Sequence, residues 1–247
     1  MSGVDASIGF SSGVGNFAVV LAAELHTHSA ASHDGRDPVD LLLRQAAAVD
    51  LDAIAITDHD RMAGSREAQA IGPDYGLMVI PGIEISTAAG HVIGLGINER
   101  IPRGLSYGET LDRIREQSGI AIIPHPFQPS RHGVAPNVTR DELAAADAIE
   151  VYNSRLLTGR ANRKAEAFAT SRSLPMTAGS DAHISEMVGQ AVTFVDAEPS
   201  EGIAGVLSAI AAGETIVDGK RTPWRISLRQ AAGGMRRRIH RRAMDWW

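Results

Sequence analysis

The feature that most constrains the fold is an alternation of short apolar runs with amphipathic stretches across residues 17–212. Short apolar runs bounded by turn residues are typical of buried strands, and the stretches between them have helical periodicity. Such an alternation predicts a parallel sheet covered by helices, and eight strands within about 180 residues favour a barrel or a related closed sheet. The expected strands are 17–25, 53–57, 78–83, 91–95, 120–123, 148–151, 175–178 and 191–195, and the clearer helices are 38–49, 107–117, 140–146, 159–170 and 200–212.

The composition is that of a folded globular protein. Of 247 residues, 44% are hydrophobic and 21% charged, which excludes a disordered chain and a coiled coil. There is no cysteine, so disulfides and thiolate metal ligands are excluded. No apolar run is long enough to span a bilayer, and the run at 17–25 has no preceding Lys or Arg, which argues against a secretory signal. We therefore expect a cytoplasmic protein.

Charge divides the chain into a body and a tail. Residues 220–247 carry nine basic residues and one acidic residue, so their formal charge is +8, which leaves −13 on the rest of a chain whose total is −5. An acidic body argues against a protein dedicated to duplex DNA. We expect residues 1–219 to form one domain, with about the first 15 residues flexible or lying across the barrel. The basic tail 220–247, which ends in two tryptophans, is expected to be a solvated terminus.

Histidines and carboxylates are concentrated where the predicted strands end. The first strand ends in His26-Thr27-His28, the second is followed by Thr57-Asp58-His59-Asp60, and the seventh by Ser180-Asp181-Ala182-His183. In an α/β barrel the carboxyl ends of the strands form one rim, where the chemistry occurs. His91 is an exception, because it precedes its strand. Six of the nine histidines belong to these motifs: His26, His28, His59, His91, His125 and His183.

These groups are suited to binding metal ions. Residues i and i+2 of a strand point the same way, so His26 and His28 aim into one cavity, and Asp181 and His183 have the same spacing. A buried carboxylate such as Glu84 needs a cation. Imidazole and carboxylate without sulfur suit Zn, Mn or Fe, and since one zinc takes three or four protein ligands, nine groups suffice for two or three ions. The candidate ligands are His26, His28, Asp34, His59, Glu84, His91, His125, Asp181 and His183.

The ordered motifs together resemble a known family. The set His26-Thr27-His28-Ser29, Thr57-Asp58-His59, Pro81-Gly82-Ile83-Glu84, His125-Pro126 and Gly179-Ser180-Asp181-Ala182-His183 is similar to that of the PHP (polymerase and histidinol phosphatase) family. The resemblance covers roughly residues 22–195. It implies a distorted (β/α)7 TIM-like barrel with a metal site at the C-terminal ends of the strands. It also implies a stand-alone phosphoesterase, since the chain is too short to include a polymerase domain.

The resemblance further implies how the ligands divide. Asp34 is assigned by its spacing from His28, with the adjoining His33 as its competitor. The position of His91 varies within the family. One ion would be held by His26, His28, Glu84 and Asp181, a second by Glu84, His91 and His125, and a third by Asp34, His59 and His183.

The reaction expected from this site is hydrolysis of a small phosphomonoester by a metal-activated water. The substrate would be a nucleotide, a nucleoside bisphosphate or a compound like histidinol phosphate, and the cofactors would be two or three divalent ions (Mn, Zn or Fe). Arg155, just past the sixth strand, is expected to grip the phosphate, ahead of Arg36 and Arg131. One of His59, His125 and His183 could protonate the leaving group, although a metal ligand cannot easily do both. Asp58 and Asp60 are expected to orient ligand histidines.

Three other functions stay open at this point. An amidohydrolase-type enzyme shares the His-x-His pair, but its metals are often bridged by a carboxylated lysine, and neither Lys164 nor Lys220 lies at a strand end. A 5′–3′ exonuclease acting on short single strands would share the metal site, yet the acidic body and 4% aromatic content favour a small substrate. A non-catalytic module with a decayed site is the third. The oligomeric state does not follow from the sequence.

Overall fold

The computed structural model describes residues 20–155 and 159–222. The expectations for about the first 15 residues and for residues 223–247, which hold most of the basic tail, lie outside the described residues. Nine strands occur in the described part: β1 Val20–Thr27, β2 Ala53–Ile56, β3 Met78–Ser86, β4 His91–Leu95, β5 Ile120–Ile123, β6 Ala148–Asn153, β7 Met176–Gly179, β8 Ala191–Asp196 and β9 Thr215–Gly219. The α-helices there are α1 Val39–Ala48, α2 Ala63–Ile71, α3 Tyr107–Glu116, α4 Arg140–Leu143, α5 Arg160–Arg172 and α6 Gly202–Ala212.

The strands form one curved sheet in the order β7-β6-β5-β4-β3-β2-β1-β8-β9. The curvature brings the end of β7 back to β1, where Thr27 forms a parallel bridge with Ala182 and His28 donates its backbone N–H to Ala182 over 2.7 Å. The closed, barrel-like sheet expected from the sequence is therefore confirmed. Closure also brings His28 to the segment that follows β7.

The expectation of an all-parallel sheet is wrong. Strands β1–β2, β2–β3, β5–β6 and β6–β7 are parallel, but β4 is antiparallel to both of its neighbours and β8 is antiparallel to β1 and β9. Only residues 87–90 connect β3 to β4, and a connection that short permits a hairpin but not a parallel crossover. The backbone N–H of Thr87 donates to Gly90 across this turn.

The hairpin accounts for His91. Because β4 runs opposite to β3, its first residue lies at the rim where the parallel strands end, and Ser86 at the end of β3 pairs with His91. A histidine that precedes its strand in the sequence therefore shares a rim with histidines that follow theirs.

Helix α2 and strand β9 were not anticipated from the sequence. Helix α2 starts Ala63-Gly64-Ser65 and has few large apolar residues, so its periodicity is weak. A Cβ at Gly64 would lie 2.1 Å from Oδ2 of Asp58 and 2.5 Å from Oγ of Ser29. Glycine thus lets α2 approach the two residues that support the rim. Among the described residues, no helix is long and apolar enough to cross a membrane.

Helix α1 packs on the sheet through one face, and two adjacent leucines test this packing. Leu42 is completely buried, whereas Leu41 is 42% exposed. Leu42→Ala should lower the free energy of unfolding by about 2–5 kcal/mol, because it leaves a cavity. Leu41→Ala should change it by about 0.5 kcal/mol or less. Urea unfolding of both variants measures the difference, and equal losses would contradict this placement of α1.

Candidate metal centre

The site is built around the carboxylate of Glu84, near the end of β3. The side chain is 1% exposed, and each of its oxygens faces imidazole nitrogens from other strands. Oε1 lies 2.8 Å from His91 Nδ1 and 3.4 Å from His125 Nε2, while Oε2 lies 3.2 Å from His28 Nε2, 3.3 Å from His59 Nδ1 and 3.5 Å from His26 Nε2.

A second group of ligand atoms lies beside Glu84. Oδ1 of Asp181 is 3.3 Å from His183 Nδ1 and 3.6 Å from His28 Nε2. Oδ2 of Asp34 is 2.7 Å from His183 Nε2 and 3.5 Å from His59 Nε2. All nine candidate ligands are therefore brought together at one rim of the barrel.

The structure favours Asp34 over His33. The His33 side chain is 65% exposed, and its Nδ1 lies 4.0 Å from Oδ1 of Asp34, on the outer side of that carboxylate. His33 approaches only the outer ring His59, at 4.9 Å between ring centroids.

The cluster contains buried polar atoms without hydrogen-bond partners, which is costly unless something else satisfies them. Four groups of three or four side chains bring ligand atoms within 4.8 Å of one another. One of them combines Asp34, His59 and His183 with His28. These residues therefore fit divalent metal ions. The unpartnered atoms are His26 Nε2, His28 Nδ1 and Nε2, His59 Nδ1, Glu84 Oε1, His91 Nδ1 and His125 Nδ1.

The electrostatics of the cluster keep ligands in the form that binds metal. Burial and the neighbouring His183 lower the pKa of His28 to about 3, so this ring is neutral. Burial alone would raise the pKa of Glu84, but the surrounding imidazoles outweigh it and hold that pKa well below its usual value. A neutral imidazole and an ionised carboxylate are the states that coordinate a cation.

Two arginines reach the same carboxylate from outside the cluster. Nη1 of Arg155 lies 3.0 Å from Oδ1 of Asp181, and Nη1 of Arg131 lies 3.1 Å from Oδ2. Burial would raise the pKa of Asp181, but these guanidinium groups outweigh it and hold that pKa well below its usual range. The third candidate, Arg36, donates its backbone N–H to the carbonyl of His183.

Several carboxylates support the rim without joining the cluster. Asp58 accepts from both the backbone N–H and the hydroxyl of Ser29, and Asp60 accepts from the N–H of Ser86. Their hydrogen bonds thus hold the segments next to the ligands, rather than the imidazoles as expected. Glu24 accepts three backbone N–H groups, those of His26, Ser180 and Gly189.

Sequence reasoning also missed His132, which lies in a loop rich in Pro and Gly. Its ring stacks on His91 at 5.0 Å between centroids, and its carbonyl accepts the backbone N–H of His91. A Cβ at Gly90 would lie 2.3 Å from that carbonyl oxygen, so the loop lies close against the hairpin. Only the adjoining Arg131 signalled a functional role for this loop.

The comparisons with known proteins agree with this geometry. The PHP domain matches residues 24–166, more than half of the chain. The chain belongs to the PHP domain family. A PHP-associated region matches residues 159–215.

Several PHP relatives are named by their activity. An uncharacterized protein of Methanocaldococcus jannaschii is 34% identical over 69% of this chain and 69% of its own length. A phosphoribosyl 1,2-cyclic phosphate 1,2-diphosphodiesterase of Eggerthella lenta is 37% identical, over 36% of this chain and 37% of its own. A 3′,5′-nucleoside bisphosphate phosphatase of Chromobacterium violaceum is 35% identical, over 32% of this chain and 29% of its own.

The fold is shared with a solved structure. A two-domain protein of Bacteroides vulgatus, containing a predicted PHP-like metal-dependent phosphoesterase, superposes with a TM-score of 0.68 at 21% identity. The match covers 82% of this chain and 65% of that one. This likeness confirms the distorted TIM-like barrel expected of a PHP protein.

A metal-binding cluster predicts stabilisation by metal. Zn²⁺ added to chelator-treated protein at about 100 times its Kd should stabilise the fold by about 2.7 kcal/mol, because the ion binds the folded state. For a chain of this size that raises Tm by about 5–10 °C. Glu84→Gln should abolish the increase and His33→Ala should keep it. Calorimetry checks this, and an equal increase in the Glu84→Gln variant would contradict the assignment.

Proposed function

We propose that this PHP protein is a metal-dependent phosphomonoesterase acting on a small substrate. The observation that carries the proposal is the pairing of a dense ligand cluster with two guanidinium groups on one of its own carboxylates, Asp181. A phosphoryl group is an anion that both features attract, since metal ions neutralise its oxygens and arginine binds them in a bidentate manner.

The nine clustered side chains would hold two or three divalent ions. The buried Glu84 lies between imidazoles of different strands and would bridge two of them. When bound, the ions would supply activation of a water nucleophile and neutralisation of the phosphoryl oxygens.

The arginines would bind and orient the phosphate. The side chains of Arg155 and Arg131 are 17% and 25% exposed, so a substrate can reach both while their counter-charge, Asp181, is 3% exposed. Approaching Asp181 from its two oxygens, they would hold the phosphoryl group over the cluster. In the reaction a bond forms between phosphorus and the water oxygen, the ester P–O bond breaks, and the leaving alcohol takes up a proton.

The proton donor would come from the outer side of the cluster. His59 and His183 both face Asp34, and the side chain of His59 is 9% exposed whereas that of His183 is 1% exposed. Both are assigned first to metal binding with Asp34, and His59 is the better placed to meet a leaving group.

The structure weakens the amidohydrolase alternative. Lys164 is exposed on α5 and Lys220 is exposed after β9, so neither of the chain's two lysines is placed to bridge metals. Glu84 takes the central position instead. The relatives named as a bisphosphate phosphatase and a cyclic phosphodiesterase support phosphate ester chemistry.

The first test is phosphate release from a substrate panel. The Mn²⁺-loaded protein should release phosphate from at least one of p-nitrophenyl phosphate, histidinol phosphate, nucleoside monophosphates, 3′,5′-bisphosphates and a short 5′-phosphorylated oligonucleotide. His26→Ala should lower the rate by at least about 100-fold, since second-sphere losses alone cost 10–100-fold, while the exposed His33→Ala should retain it. No release from any member by metal-loaded protein would sink the phosphomonoesterase proposal, and release from the oligonucleotide alone would indicate the nuclease.

A second test addresses Arg155. Arg155→Ala should lower kcat/KM by about 10–100-fold, because charged hydrogen bonds contribute about 1.5–3 kcal/mol each. It should also weaken inhibition by inorganic phosphate. Arg160→Ala, at an exposed position at the start of α5, is the matched control. Equal phosphate inhibition constants for the Arg155→Ala variant and the wild type would remove Arg155 from the phosphate site.

A further inference from the structure

Glu150 lies behind the ligand cluster and none of its expected roles includes metal binding. It is on β6 and 2% exposed, and its carboxylate has three partners. Oε1 lies 2.9 Å from Nδ1 of His26. Oε2 accepts the backbone N–H of His125 over 2.8 Å and the side-chain amide of Asn153 over 3.0 Å.

We propose that Glu150 is a positioning residue that orients two candidate metal ligands from different strands, His26 of β1 and His125 after β5. The inference rests on the metal centre of the proposed function. It adds to that function a residue that touches neither metal nor substrate and acts through the two histidines.

The contact with His26 selects one form of the ring. An ionised carboxylate only accepts hydrogen bonds, so the hydrogen of a neutral His26 sits on Nδ1. The lone pair of Nε2 then faces the cluster, where this nitrogen lies 3.5 Å from Oε2 of Glu84 and has no hydrogen-bond partner. Such a carboxylate–histidine contact fixes the orientation of a ligating imidazole and makes it more basic.

The contact with His125 acts on the backbone. His125 has a φ of 35°, in the left-handed region that non-glycine residues adopt at a cost. Glu150 accepts the N–H of this residue, which stabilises the turn at the end of β5. That turn directs the imidazole into the cluster, with Nε2 at 3.4 Å from Oε1 of Glu84.

Glutamine cannot replace this carboxylate. Its side chain has one acceptor oxygen, whereas His26 and the backbone of His125 both present hydrogens, so its amide group would face one of the two donors. If it faced His26, the ring hydrogen would move to Nε2 and block the lone pair. We therefore expect Glu150→Gln to weaken metal binding by about 10–100-fold.

The experiment measures the affinity for Zn²⁺ alone, by competition with a chromophoric chelator. It compares the full wild-type chain with Glu150→Gln, Glu150→Asp and the control Glu166→Gln, which changes an exposed residue on α5. Nitrogen-15 spectra of the zinc-loaded proteins report which ring nitrogen of His26 carries the hydrogen, a readout that a general loss of stability does not move. Thermal unfolding of the metal-free proteins shows that each variant is folded.

The expected result is a Kd for zinc raised about 10–100-fold in Glu150→Gln, unchanged in Glu166→Gln and intermediate in Glu150→Asp. The spectra should show hydrogen on Nδ1 of His26 in the wild type and lose that signature in Glu150→Gln. A folded Glu150→Gln variant with a Kd within about twofold of the wild type and an unchanged His26 spectrum would overturn the inference. If Glu150→Gln does not fold, Glu150→Asp decides, because its shorter side chain cannot keep both contacts. Wild-type affinity in that variant would overturn the inference equally.

The two proposals fail in different ways. A wild-type chain that binds no zinc would overturn the proposed function together with this inference. A wild-type chain that binds zinc, alongside a Glu150→Gln variant that binds it equally well, would overturn only the role of Glu150.

Discussion

The interaction on which the site depends is that of Glu84 with five imidazoles at a position almost closed to solvent. A buried carboxylate is costly unless a cation compensates it, and buried imidazole nitrogens without partners are costly as well. Both costs are removed when divalent ions bind between these groups. The cluster is therefore poorly satisfied as protein alone and well satisfied as a metal centre, which ties the stability of the rim to its chemistry.

The fold makes this arrangement possible through closure and through one reversed strand. Closure sets His28 beside Ala182, so the motif after β1 meets the motif after β7. The hairpin between β3 and β4 returns His91 to the same rim as Glu84. Behind the ligands, buried carboxylates accept backbone N–H groups, as Asp58 does from Ser29 and Glu150 from His125. The ligands are thus held by groups from several strands.

The sequence predicted the strands and the candidate ligands well because both follow from short-range patterns. Apolar runs mark strands, and a histidine just after such a run lies at the rim of a closed sheet. The reversal of β4 was not predicted, because the direction of a strand depends on the length of its connection rather than on its residues. Helix α2 was missed because its small residues serve close packing at Gly64. The role of Glu150 was out of reach, since its partners His26 and His125 are 124 and 25 residues away.

The most direct test of the account is anomalous diffraction from crystals of the full chain loaded with Zn²⁺, recorded on both sides of the zinc absorption edge. We predict at least two peaks inside the cluster, one of them within about 2.0–2.2 Å of a Glu84 oxygen and a neighbouring imidazole nitrogen. Peaks confined to other parts of the molecule, with the imidazoles around Glu84 still without metal at saturating zinc, would contradict the account.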